Sequence, residues 1–382
     1  MRDLARFFLA LACGLGLAAA QSSAPPPPRA DHLPLEPAMP CSVAADQPPS
    51  SFTVPLSPEQ EARALAVYRR SIVITAHDHC FHPGDFRDME AAGITVRTIK
   101  PTVDGIFWGG PKRYRIDSEV EGWPERGKMA LAILDRRVAE SKGKVIVIRS
   151  VEDIRRAKRE GKFGIIYSFE GARPLGGRIE NLNTFYDLGL RELQAYWAVP
   201  SPLKNPDRTL SEFGLAVIRE MNRLGIVLDL SHMPDAAFLQ AMDATAQPAV
   251  ISHCAVAAVS GVKPGGTDQL SDDTIRRIAT GGGAICLHFY EGYIRPRHGE
   301  HATVVDLVDH MDYIRKLVGI DSVALGVDYF PENGWRWIEG AERMRGMPNV
   351  VREMVRRGYT DEEIEKVLGL NLMRVYRRVW GK

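Results

Sequence analysis

The sequence predicts an α/β protein, specifically a (β/α)8 TIM-type barrel preceded by a signal peptide and a Pro-rich linker. Three observations predict it. Eight short apolar runs rich in β-branched residues recur between positions 71 and 327. Clear helical patterns such as "LSEFGLAVIREMNRLG" and "TVVDLVDHMDYIRKLVG" lie between several of them. Parallel strands need such crossovers, and strands buried on both faces read as continuous apolar runs. Finally, no Gly-rich phosphate fingerprint follows the first run, which weighs against a doubly wound open sheet. Eight units over roughly 320 residues fit a barrel with insertions.

Taken in order, residues 1–20, "MRDLARFFLALACGLGLAAA", read as a secretory signal. Arg2 and Arg6 flank the n-region, residues 7–17 form the apolar core, and Ala18, Ala19 and Ala20 offer a cleavage site. The apolar stretch is too short for a spanning helix, so the mature chain is expected to carry no transmembrane span and to be secreted or periplasmic. Cys13 in "LALAC" faintly resembles a lipid-attachment site, but Ala10 stands three before it, so lipid anchoring is the weaker expectation.

Residues 21–58 form a linker rich in Pro, Ser and Ala, expected to be extended and mostly solvated. His32 within it receives no role. The hydrolase domain is expected over 59–382. It opens with a helix capped by Ser57 with Pro58 at its first position.

The strand runs are "SIVITA" (71–76), "GITVRTIK" (93–100), "GKFGIIYSF" (161–169), "LRELQAYW" (190–197), "GIVLDLS" (225–231), "PAVIS" (248–252), "GAICLHF" (283–289) and "SVALGV" (322–327). Lys and Arg total 49 against 48 Asp and Glu, and no basic block stands out, so nothing points to nucleic acid or an anionic membrane surface. If the leader is removed, Cys41, Cys80, Cys254 and Cys286 remain. A disulfide and buried free thiols are both open readings.

In a barrel of this kind the site lies at the C-terminal ends of the strands. Several ionisable residues stand there. His77 and His79 end the first strand, Glu170 the third, His232 the fifth, His253 the sixth and Asp328 the eighth. Side chains alternate along a strand, so His77 and His79 share a face while Asp78 points away. Burying four unpaired imidazoles together has no packing benefit, so a metal site is the better reading.

Histidine and carboxylate donors suit Zn(II), with Mn(II), Co(II) or Fe(II) possible. The number of donors suggests two ions per chain, with Glu170 as the bridge. Ions in that arrangement hold hydroxide near neutral pH, because a metal lowers the pKa of bound water from about 15.7 to 7. Asp328 then moves the proton or completes one ligand set.

His288, near the end of the seventh strand, is read as touching substrate or as a core histidine. His82 either lines the site or, the favoured reading, is solvated; His298 and His301 are expected at the surface, and His310 is expected to be a structural hydrogen-bonder on a helix. Cys80 and Cys254 each follow a candidate ligand but alternate off its face.

Together these residues resemble the membrane (renal) dipeptidase family of zinc peptidases. The resemblance covers roughly residues 60 to 380. Its most specific stretches are "FGLAVIREMNRLGIVLDLSHM", "PAVISHC", "DHMDYIRKLVGIDSVALGVDYF" and "GLNLMRV". It implies a (β/α)8 barrel with a binuclear zinc site that cleaves dipeptides, some of them containing D-residues, or β-lactams. By position, His77 binds the first metal, Glu170 bridges, His232 and His253 bind the second, and Asp328 is the acid/base carboxylate. Family members often dimerise, which makes a homodimer possible here.

There are three departures. The family's first motif is His, any residue, Asp; here the third position is His79. The family's fourth strand ends in Thr-His, and that His stabilises the oxyanion; here Trp197 stands there. Losing one such donor costs on the order of a hundredfold in rate. The family binds the substrate carboxylate with Arg of an Arg-Asn pair; here Asp268 and Gln269 fall at that place, with Lys263 as a weak substitute.

The expected function is therefore a binuclear metal-dependent amide or peptide hydrolase with an atypical small-molecule or short-peptide substrate. An N-acyl amino acid, a modified or cyclic peptide, a lactone and an ester are the candidates. Trp197 and Tyr196 are expected to contact an apolar group. The alternatives are an amidohydrolase-like lactonase or esterase, and a catalytically inactive ligand-binding barrel.

Overall fold

The computed structural model describes residues 40–41, 47–104, 106–107, 114–115, 122–197, 200–330 and 334–381. The expected leader, Cys13, His32 and most of the linker lie outside the described residues. Helix α1 (Pro58–Arg70) begins as the sequence requires. The Ser57 hydroxyl accepts from the Gln60 N–H, the Gln60 side chain accepts from the Ser57 N–H, and Pro58 fills the first position.

All eight predicted strands form. They are β1 (Ile74–His77), β2 (Val96–Ile99), β3 (Phe163–Tyr167), β4 (Glu192–Gln194), β5 (Val227–Asp229), β6 (Val250–Val256), β7 (Ala284–His288) and β8 (Val323–Val327). Neighbours pair in parallel in the order β3-β2-β1-β8-β7-β6-β5-β4. The two ends of this path meet through parallel bridges, Tyr167 to Leu190 and Glu170 to Gln194. There the N–H groups of Arg191 and Gln194 donate to the carbonyls of Tyr167 and Phe169, each at 3.1 Å.

A strand not expected from the sequence, Val145–Val147, pairs with the start of β3 and occupies the edge that would otherwise face β4. The β3–β4 contact is therefore confined to the C-terminal side, where the candidate ligands lie. The result is an α/β fold on one parallel sheet, consistent with a TIM-type barrel.

Alternation along the strands separates two environments. Ile74, Val96 and Ile166 face outward onto Leu372, Val375 and Tyr376 of the last helix, Asn371–Trp380. Just before that helix, in "GLNLMRV", Gly369 passes so close to the Ile72 carbonyl that a Cβ would collide with it. Asn371 then donates to the carbonyls of Ile320 and Val323, both at 2.8 Å, and ties the helix beneath β8.

The inner face is polar. Lys100, Glu192, Gln194, Asp229 and Ser252 are all fully buried. The Lys100 ammonium lies 2.5 Å from Asp229, 3.2 Å from Gln194 and 3.6 Å from Glu192. A buried charge without such partners would cost several kcal/mol, on the order estimated for an unpaired ion.

Residues 47–57 are extended, with six of the eleven exposed, yet the segment lies against the domain. Val54 is 2% exposed, Gln47 exchanges hydrogen bonds with the backbone of Trp337, and Val54 N–H donates to Asn349. The segment is docked because its polar backbone finds partners on the domain. Moreover, Cys41 and Cys80 form a disulfide, which pins this strap next to His79, while Cys254 and Cys286 are free and buried.

Candidate metal centre

The centre is assembled at the C-terminal ends of the strands. His77 ends β1 and His79 follows it on the same side, with their Nε2 atoms 3.2 Å apart. Asp78 points the other way and is ion-paired with buried Arg97. Glu170 lies just beyond β3. Its Oε2 is 3.1 Å from His79 Nε2 and 3.5 Å from His77 Nε2, and its Oε1 is 3.1 Å from His232 Nε2.

His253, within β6, brings its Nε2 to 2.9 Å from that of His232, just past β5. Asp328 follows β8 with Oδ1 3.5 Å from His77 Nε2 and 3.4 Å from His79 Nε2. His232 and Asp328 both adopt positive φ, 65° and 63°. Non-glycine residues there cost about 1–3 kcal/mol each and persist where surrounding structure enforces them, often at functional sites.

The other imidazole nitrogens decide what the Nε2 atoms can do. His79 Nδ1 lies 2.7 Å from the Lys100 carbonyl, which only accepts, so Nδ1 carries the proton. His232 Nδ1 lies 2.9 Å from Asp268 Oδ1. His77 Nδ1 and His253 Nδ1 lie 2.8 and 3.1 Å from Ser252 Oγ. Each arrangement leaves an Nε2 lone pair turned into the centre. Lone pairs facing one another at 2.9–3.2 Å repel unless a cation or proton lies between them.

Asp328 Oδ1 is buried and has no hydrogen-bond partner. The donor chemistry fits metal cations, with His77, His79 and Glu170 in one cluster and Glu170, His232 and His253 in another. The ligand atoms within His77–His79–Glu170, Glu170–His232–His253 and His77–His253–Asp328 all lie within 4.8 Å of one another.

The electrostatics agree. Burial opposes ionisation of Glu170, yet His77, His232 and His79 hold its carboxyl well below the usual range. Burial likewise opposes ionisation of Asp328, and His77 and His288 outweigh it. Burial, then the Lys100 charge, pushes His77 down to about 4. Burial and the neighbouring His77 and His232 hold His253 well below its ordinary value. Burial acts the same way on His232, but Asp268 and then Glu170 override it and hold that imidazole well above.

His288 differs from the other four. Its Nδ1 accepts the Tyr290 backbone N–H at 2.9 Å, so its Nε2 carries the proton and donates to Asp328 Oδ2 at 3.1 Å. It is a donor facing the cleft rather than a fifth ligand. The cleft, about 160 Å³, is lined by the metal-centre side chains and by an apolar wall that includes Trp197, Tyr293, Phe330 and Trp335. A larger cavity, about 250 Å³, lies beside the disulfide and includes none of the histidines.

Tyr196, expected to contact substrate, does not line the cleft. It is buried, its hydroxyl donates to the Arg208 carbonyl at 3.2 Å, and Lys204 sits over its ring. Alternation turns it away from Trp197. Lys263 is exposed and does not line the cleft.

Nor is His82 free in solvent: half-buried, it caps helix α2 (Pro83–Ala92) by accepting from the Gly84 N–H. His298 and His301 lie near Asp309 and Glu291, away from the centre. His310 is structural, bonded to the Val256 N–H and the Ile294 carbonyl. The residue missed by sequence reasoning is Asp268. It is read there as a repulsive group in a substrate subsite, but it holds His232. The signal available was the general pairing of ligating histidines with a carboxylate at the other ring nitrogen.

Fold and site together define a class: an α/β protein whose parallel strands present a candidate two-ion centre of imidazoles and carboxylates at one edge. The membrane dipeptidase model, peptidase family M19, matches residues 125–380. The chain belongs to the membrane dipeptidase family. An uncharacterised dipeptidase of Schizosaccharomyces pombe is 30% identical over 233 residues, covering 58% of this chain and 54% of that protein. The dipeptidase tcpJ of Claviceps purpurea is 32% identical over 238 residues, covering 60% and 54%. The matches thus span about half the length of these relatives. A metallopeptidase of Rhodobacter sphaeroides, solved with a phosphinate mimic of the dipeptide L-Ala-D-Ala, superposes with a TM-score of 0.70 at 22% identity, over 81% of this chain and all of that one.

Proposed function

We propose that the protein is a binuclear metal-dependent hydrolase of the dipeptidase type, cleaving an amide or peptide bond in a small substrate. The observation that carries this reading is the convergence of the Nε2 atoms of His77, His79 and His232 on Glu170, with His253 Nε2 against that of His232 and each imidazole held from behind at Nδ1. The intact donor set argues against an inactive ligand-binding barrel. Family membership and the dipeptide mimic bound by the Rhodobacter sphaeroides protein support peptide chemistry. Zn(II) is the favoured ion on donor chemistry, with Mn(II), Co(II) or Fe(II) as alternatives. A closed (β/α)8 barrel over 59–382 is part of the reading, as are a leader at 1–20, a linker at 21–58 and export to the periplasm or medium. Among the described residues no helix is long and apolar enough to cross a membrane.

His77, His79 and Glu170 would hold one ion, and Glu170, His232 and His253 the other. Two ions there supply Lewis acidity, acidifying water and polarising the scissile carbonyl. Asp328 Oδ1, unpaired beside His77 and His79, takes the proton of the attacking water and returns it to the leaving nitrogen. His288 steadies the other oxygen of that carboxylate by donating its Nε2–H to it. Trp197, Phe330 and Trp335 exclude water on the apolar side.

Among the described residues no Lys or Arg lines the cleft, and Asp268 is engaged with His232. That favours a substrate lacking a free carboxylate at this point, and keeps lactone or ester hydrolysis as the second reading. The test is to load metal-free protein with Zn(II) or Mn(II), count ions, and assay L- and D-dipeptides beside esters and lactones. Amide or peptide bond hydrolysis with two ions per chain is expected. Ester or lactone turnover alone would replace the first reading with the second. Glu170→Gln should abolish turnover and weaken both ions, because that residue reaches both histidine pairs.

A further inference from the structure

We propose that Ser252 is the shared positioning residue of both halves of the centre: its single hydroxyl, anchored on Asp229, sets the orientation and tautomer of His77 for one ion and of His253 for the other. This rests on the two-ion reading above.

The Ser252 hydroxyl lies 2.5 Å from Asp229 Oδ2 and donates to it, because a carboxylate that stays ionised beside Lys100 only accepts. The remaining lone pairs of Ser252 Oγ face His77 Nδ1 at 2.8 Å and His253 Nδ1 at 3.1 Å. Both nitrogens must therefore be protonated, and both Nε2 atoms must carry lone pairs. Ser231 Oγ lies 3.1 Å from Ser252 but spends its own proton on Asp229 Oδ1 at 2.8 Å, so it does not compete.

Asp229 is in turn held by the N–H groups of Ser231 and Ser252 and by the Lys100 ammonium, all buried. The rings of His77 and His253 sit 4.2 Å apart across this one hydroxyl. The remaining two imidazoles are positioned separately, His79 by the Lys100 carbonyl and His232 by Asp268. Ser252 is thus the point at which the two half-sites are mechanically joined. Asp268 serves one half only.

The test compares Ser252→Ala with Asp268→Asn by competition of the folded proteins against a chelator for Zn(II). Loss of an outer hydrogen-bond partner typically lowers metal affinity about 10–100-fold. Ser252→Ala should weaken both ions by that order, and Asp268→Asn only one. Unchanged affinity in Ser252→Ala, or weakening of a single ion, overturns the proposal. A wild-type chain that binds fewer than two ions rejects the two-ion reading and this proposal with it. If Ser252→Ala does not fold, proton–nitrogen spectra of the zinc-loaded wild type decide. Slowly exchanging Nδ1 protons on His77 and His253 are expected, and ligation through Nδ1 of either ring overturns it.

Discussion

At the scale of single residues, what matters is which atom of a side chain is already engaged. Asp328 uses Oδ2 on His288 and keeps Oδ1 for the centre. Asp328→Asn keeps the shape but removes the proton acceptor. Turnover should fall about 10²–10⁴-fold, the range for a lost general acid–base, while the ion between Glu170, His232 and His253 stays bound. Unchanged turnover would reject the proton role. Trp197 stands on the cleft wall where the resemblance places a cationic donor, and indole supplies one N–H and no positive charge. Trp197→His should raise kcat on dipeptides by up to about a hundredfold if an oxyanion donor is what is missing; no gain in steady-state kinetics would mean that His288 or another group already serves. His79→Asp puts a carboxylate beside Glu170. It should alter metal content and rate together, and if both stay at wild-type levels His79 is not a ligand.

At the scale of elements, helices and strands act by holding these atoms still. Helix Val304–Val318 contributes His310, which accepts the β6 Val256 N–H and meets the Ile294 carbonyl through its other nitrogen. It braces β6 three residues beyond His253. Burial pushes this imidazole down from 6.5 to about 4. A depressed folded pKa means that the unfolded chain binds the proton more readily. The stabilisation is therefore full above pH 6.5 and lost as pH falls toward 4. Thermal melts of wild type and His310→Leu should diverge most at neutral pH and converge near pH 4. A gap that is constant over that range would show that His310 does not titrate as described. The strand Val145–Val147 is one of the elements the sequence reading did not find, with the antiparallel strands Thr102–Val103, Ile106–Phe107 and Tyr114–Arg115. It is three residues long, and nothing in "KVIVI" distinguishes an edge insertion from the end of a helix.

For the whole molecule, the docked segment 47–57 and the disulfide at Cys41 before it are stability devices placed next to the site. The Cys41–Cys80 bond closes a separation of 39 residues and ends one residue after His79. In the chain-entropy picture a loop of that length contributes about 4 kcal/mol. Cys41→Ser should lower Tm, and adding reductant to the wild type should reproduce the shift; identical melts with and without reductant would show that the bond is absent in solution. Most of the strap is exposed, as its linker composition suggests, but composition does not register the partners that Trp337 and Asn349 supply from 290 or more residues away. The sequence by itself determined the number and direction of the main strands and the residues standing at their C-terminal ends. Alternation and parallel pairing are local rules, so His77, His79, Glu170, His232, His253 and Asp328 were legible as a group. Only the tertiary structure decided that Asp268 holds His232, that Ser252 serves two imidazoles, that Tyr196 turns away and that Cys41 pairs with Cys80. Those contacts depend on strand register and on the paths of long loops, which no local periodicity encodes.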